Sequence, residues 1–162
     1  MKYFLIIIAC TIFFSCSNNN KEQLVNNIKA LETQKEYKLS DSLINTYIAF
    51  SKQFPEDSNA IKYTFKAAEI LIKNNQLVKG AKLYESIAKD NNSSLAAEAL
   101  LRAGVCYESI PDKANAVKLY EQFIAQFPTH ERISEVKKMK EFAGLTDEEL
   151  FKRLFENKEN VN

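Results

Sequence analysis

The chain is short of the residues that make tight turns and special sites. Its 162 residues include three glycines, three prolines, three cysteines, one histidine and no tryptophan. Globular chains average about 7% glycine and about 5% proline. So little of either cannot furnish the many turns of a β-sandwich or barrel. Neither a GxGxxG nor a GxxxxGK[ST] run occurs, which excludes the common dinucleotide and P-loop sites. A single imidazole leaves little for a triad or a metal cluster, and no cofactor or metal is expected. With 22 basic against 21 acidic side chains, the chain lacks the positive field of a nucleic-acid binder. A membrane-spanning helix needs roughly 20 apolar residues, and the apolar run from Tyr3 to Phe14 is shorter than that.

That run instead suits the core of a secretory leader, about 7–15 residues. Lys2 precedes it and the polar stretch Ser17-Asn18-Asn19-Asn20-Lys21-Glu22 follows. Phe13-Phe14-Ser15-Cys16 resembles a bacterial lipobox, with Phe where Leu is usual at its first position. The resemblance implies lipidation of Cys16 and removal of residues 1–15. Ile7-Ile8-Ala9-Cys10 also fits the pattern, but it would leave only Phe4 to Ala9 as leader core and is followed by more apolar residues. Each acyl CH₂ buried in a bilayer contributes about 0.8 kcal/mol, so several acyl chains on one cysteine anchor a protein durably. Residues 16–22 then read as lipidated Cys16 and tether. Losing Lys2 with the leader brings the basic residues level with the 21 acidic ones. Cys106 remains as the one free thiol, which excludes an intramolecular disulfide. A chain of about 150 residues buries enough surface to do without one.

Every stretch after residue 21 reads as helix. Leu24, Ile28 and Leu31 lie at helical spacing, as do Leu43, Tyr47, Phe50 and Phe54 in a segment that Ser40 can cap and Pro55 closes. Ile61, Thr64, Ala68 and Leu71 form a third stripe, and Leu77, Ala81, Tyr84 and Ala88 a fourth. The segment from Leu95 to Tyr107 is apolar on most sides; the next, from Lys113 to Gln126, carries Ala116, Tyr120 and Phe123, with Phe127 beyond. Breaks fall at Pro55, Asn74-Asn75, Asp90 to Ser93, Pro111-Asp112 and Pro128.

These helices repeat. Tyr47 to Pro55 parallels Tyr120 to Pro128, and Tyr84 lies between them with Asn92 at the proline position. Tyr47, Tyr84 and Tyr120 stand 37 and 36 residues apart, a period that marks an array of helical hairpins. The pattern resembles the tetratricopeptide repeat (TPR) family. Residues 97–130 carry it most fully, with Leu100, Gly104, Tyr107, Ala116, Tyr120 and Pro128; residues 61–94 keep Ala68, Leu71, Gly80 and Tyr84. Residues 24–57 keep Tyr47 and Pro55, but have Leu43 where a small residue belongs and Gln34 where an aromatic does. The expected fold class is therefore all-α: a short TPR-like solenoid of about three hairpins over residues 23–130, with a C-terminal pair of capping helices over 131–158 and a polar tail, 159–162. In that pair Gly144 suits the positive φ that ends a helix. Thr146 and Glu149 form a capping box, with Leu145 and Leu150 as its hydrophobic staple. The aromatics at helical spacing read as core.

Catalysis finds no support. His130 lies in an inter-helix turn and Cys106 inside an apolar helix. Binding remains. The resemblance implies a concave groove displaying Lys62, Phe65, Lys66 and Glu69 from one helix and Glu98, Leu101, Arg102 and Val105 from the next, with Arg102 as the strongest anchor for a partner. Leu101 and Val105 give their helix a second apolar line, which either faces a partner or is buried within the fold. The paired basic residues with which TPR domains clamp a peptide carboxylate are not clearly present. Phe127-Pro128-Thr129-His130 is similar to endings in TPR proteins of Gram-negative envelopes, such as the lipoprotein of the outer-membrane β-barrel assembly machinery and the coordinator of the Tol–Pal system. The resemblance implies a lipid-anchored adaptor on the periplasmic side of the outer membrane that binds an envelope protein or peptide. The alternative is a nutrient-uptake lipoprotein that binds a sugar or peptide directly, against which the missing tryptophan and short loops count.

Overall fold

The computed structural model describes residues 19–34, 39–90 and 93–155, apart from the side chain of Leu154. The leader, Cys10, Cys16, Asn92 and the tail from 159 lie outside these residues. All regular structure among the described residues is helical. α1 covers residues 19–33; α2 is Asp41–Gln53, α3 Ala60–Lys73, α4 Leu77–Ala88, α5 Ala96–Ser109, α6 Lys113–Gln126, α7 Ile133–Gly144 and α8 Asp147–Phe155. No helix among the described residues is long and apolar enough to cross a membrane. Helices pack as consecutive neighbours, α2 on α3 and then α4 on α5, α5 on α6 and α6 on α7, which is the TPR-like all-α class that the sequence predicts. The chain divides into two compact units after Asn74, so the hairpin expected at 61–94 is shared between them.

The first unit holds α1 to α3. The tether expected over 16–22 is helical from residue 19. Two contacts fasten it: Asn20 Nδ2 donates to Gln53 Oε1 at 3.0 Å, and Lys21 pairs with Asp57 at 2.5 Å. Ser40 caps α2 as its sequence indicates, accepting the Leu43 N–H at 3.2 Å. Phe50 meets the Tyr63 ring edge-on at 4.9 Å, and Tyr47 stacks on Tyr63 at 5.2 Å. On α3 the buried face is rotated from the expected stripe. Ala67, Ala68, Ile70 and Leu71 are buried, whereas Ile61 and Thr64 are only half-buried. Asn75, just beyond α3, has φ 58°, a left-handed position that asparagine tolerates.

In the second unit α5 is buried on both sides, with Leu100 and Leu101 each 2% exposed. Gly104 faces the Tyr120 ring so closely that a methyl group there would lie 2.5 Å from Cε1. Asp112 caps α6 by accepting the Asn115 N–H at 3.2 Å. Of the C-terminal pair, α7 buries Val136 and Ala143, while α8 leaves Phe151 and Phe155 more than half exposed. The capping box is present: Glu149 N–H donates to Thr146 Oγ1 and Thr146 N–H to Glu149 Oε2. Gly144 departs from expectation. It is the last helical residue, and no glycine has positive φ among the described residues. Leu145 leaves the helix in extended conformation and leads straight into the box, so no left-handed residue is needed.

Candidate functional site

In the first unit a cleft of about 700 Å³ opens between α1, α2 and α3. Leu39, Leu43 and Ile70 supply its apolar lining; Glu32, Lys66, Glu69 and Lys73 supply the charge. Lys66, Glu69, Ile70 and Lys73 lie on one side of α3 because they sit at helical spacing. One wall is a fixed polar cluster. Glu32 accepts from the Tyr47 hydroxyl at 2.5 Å and pairs with Lys66 at 2.6 Å. Lys66 Nζ also lies 5.6 Å from the centre of the Tyr47 ring and 5.9 Å from that of Tyr63, within cation–π range. Burial pushes the Glu32 carboxyl up, but the hydrogen bonds from Lys66 and Tyr47 outweigh it and hold the group below the usual carboxylate range. Burial, and then the Glu32 bond, push the Tyr47 hydroxyl well above its ordinary value. Glu32 therefore stays anionic and Tyr47 neutral, a preset wall beside an apolar floor.

Of the groove residues named from sequence, Lys66 and Glu69 line this cleft, while Lys62 and Phe65 of α3 do not. The other four stand on α5 in the second unit. Leu101 is buried and is core. Arg102 Nε binds Glu98 at 2.6 Å, one turn away, and Glu98 also holds Arg132 at 3.2 Å. Arg132 grips Glu135 through two hydrogen bonds of 2.8 and 2.9 Å. Arg102 and Glu98 are thus members of an ion-pair chain that joins α5 to α7. Val105 alone of the four is an exposed apolar side chain, at 41%.

The remaining reactive groups serve structure. Cys106 is buried, and burial pushes its thiol up, the reverse of what a nucleophile requires. His130 Nδ1 accepts the Arg132 backbone N–H at 3.1 Å. Tyr107 and Tyr120 donate to Glu85 and Glu108, each at 2.7 Å, and are buried as expected of core aromatics.

The sequence reading missed Glu32, Leu39, Ile70 and Lys73 as cleft residues. The one signal in the sequence was Leu43, a large side chain where the repeat pattern asks for a small one; it lines the cleft. A search of curated proteins found no match for the chain. Residues 98–130 match the tetratricopeptide repeat family, in register with the hairpin of α5 and α6. That hairpin is similar to the tetratricopeptide repeat, a module whose general role is to bind other proteins.

Proposed function

We propose that the protein is a lipid-anchored adaptor of the bacterial cell envelope. Acyl chains on Cys16 hold it at the periplasmic face of the outer membrane, and its helical hairpins engage a peptide segment of another envelope protein. The leader-like residues 1–15 and the lipobox-like Phe13 to Cys16 support the anchor. The observation that carries the binding role is the cleft of α1 to α3. Its Leu39, Leu43 and Ile70 surface suits an apolar side chain, and Lys73 at its rim suits an acidic neighbour along the same peptide.

Crosslinking in intact cells followed by affinity capture tests both parts. Leu39→Arg with Lys73→Glu fills the mouth of the cleft and reverses its rim charge without touching the buried core. This variant is expected to lose at least about tenfold of the captured partner, a loss equal to 1.4 kcal/mol of binding. Lys118→Ala, on the exposed side of α6, is the control and retains it. A double variant that captures its partner at the wild-type level overturns the cleft assignment. Separately, Cys16→Ala is expected to move the protein to the soluble fraction or stall it as precursor; unchanged membrane partitioning overturns the anchor.

A further inference from the structure

The loops that lead into α3, α5 and α7 share one hydrogen-bond pattern at the repeat interval. In the first, Asp57 N–H donates to Phe54 O and Ala60 N–H to Asp57 O. In the second, Ser93 N–H donates to Asp90 O and Ala96 N–H to Ser93 O. In the third, His130 N–H donates to Phe127 O and Ile133 N–H to His130 O. The central residue of each loop then turns its side chain onto the backbone N–H two residues ahead. Asp57 Oδ1 accepts from Asn59 at 2.8 Å, Ser93 Oγ from Leu95 at 3.2 Å, and His130 Nδ1 from Arg132 at 3.1 Å. None of the three helices has an ordinary side-chain cap at its N-cap residue. This contact is therefore the side-chain contribution to each helix start, where several N–H groups otherwise lack partners.

The three acceptors are chemically unequal. A carboxylate and a hydroxyl accept equally well across neutral pH. An imidazole accepts at Nδ1 only while neutral with its hydrogen on Nε2, and histidine changes charge between about pH 5 and 8. We infer that His130 is a proton-operated latch on the start of α7. Neutral, it holds the Arg132 N–H; protonated, Nδ1 carries a hydrogen of its own, the bond is lost and two donors face each other.

From α6 the Phe123 ring packs against the His130 ring in a T-shaped pair, centroids 5.1 Å apart. Glu131 and Arg132 follow His130 in the chain, and Arg132 pairs with Glu98 of α5 and Glu135 of α7. Arg132 opposes a second positive charge. Glu98 is already engaged by Arg102 and Arg132, and Glu135 by Arg132. Glu131 is exposed, so water screens it. The latch also sits beside the α5–α7 ion-pair chain, because the N–H it holds belongs to Arg132, whose guanidinium is the centre of that chain.

The test is NMR on the ¹⁵N-labelled full chain, read at about pH 8 and about pH 5. At the higher pH the ring nitrogens are expected to show a bare Nδ1 and a protonated Nε2. The Arg132 amide should be as protected from hydrogen exchange as in His130→Ser, which installs the acceptor of the α5 loop. At the lower pH the wild-type protection should fall about fivefold below that of the serine variant, the equivalent of one ordinary hydrogen bond. His130→Ala should show the low value at both. A hydrogen on Nδ1 at the higher pH overturns the proposal, and this is read on the unaltered chain. Equal protection in wild type and His130→Ser at both pH values overturns it as well.

Discussion

Alanine in place of glycine inside a helix ordinarily stabilises by about 1 kcal/mol. At Gly104 the opposite sign is expected. A Cβ built there lies 2.5 Å from Tyr120 Cε1, 2.9 Å from Cδ1 and 3.1 Å from Cζ. Carbon atoms settle at about 3.5–4.0 Å, so the ring must retreat by about 1 Å. It has nowhere easy to go: Tyr120 is 0% exposed, and its hydroxyl is held by Glu108 at 2.7 Å. Overpacking of this kind costs about 1–3 kcal/mol, and displacing the ring also strains a hydrogen bond to a charged group, worth about 1.5–3 kcal/mol when lost outright. Set against the propensity gain, the net effect is a destabilisation of about 1–3 kcal/mol. Urea unfolding followed by circular dichroism measures it. Tyr120→Leu removes the obstruction, so Gly104→Ala should cost markedly less in that background than in the wild type. A Gly104→Ala protein as stable as the wild type, or more so, would refute the close-approach argument.

Two further outcomes follow from the same core. Leu100→Ala is expected to cost about 2–5 kcal/mol in the same assay, the range for buried leucine truncation; a loss under about 0.5 kcal/mol would place that side of α5 outside the core. Tyr47, Tyr107 and Tyr120 all ionise later in the folded chain than the ordinary tyrosine value of 10.0, chiefly through burial and then through their bonds to Glu32, Glu85 and Glu108; Tyr107 is pushed up to about 12. Raised folded values mean that their stabilisation is complete below pH 10 and is lost as pH rises through the folded values. The chain should therefore unfold in alkali above about pH 10 with tyrosinate absorbance rising in step. Tyr107→Phe should flatten this alkaline slope, and an unchanged slope would show that Tyr107 does not contribute.

The helices were legible because their signals are local. Ser40 and Thr146, with the breaks at Asn75 and Asp112, act within one turn of their own residue, and the stripe through Leu43, Tyr47 and Phe50 needs only the helical period. The hairpin of α5 and α6 was legible for a related reason: Gly104 and Ala116 are small where two helices meet, and their spacing recurs. Spacing names the face of a helix, however, and not what that face meets. Leu101 lies on a second apolar line, and only packing on both sides of α5 decides that it is core. Arg102 and Glu98 stand one turn apart, and only the structure shows them paired and linked on to Arg132. The cleft is assembled from Glu32, Tyr47 and Lys66, whose mutual contacts span 15 and 34 residues of sequence. The same holds for His130: its sequence position says only that it lies in a turn. Its hydrogen bond to the Arg132 N–H, in the place where Asp57 and Ser93 make theirs, depends on the backbone geometry of that turn, which the structure shows and the residue type does not.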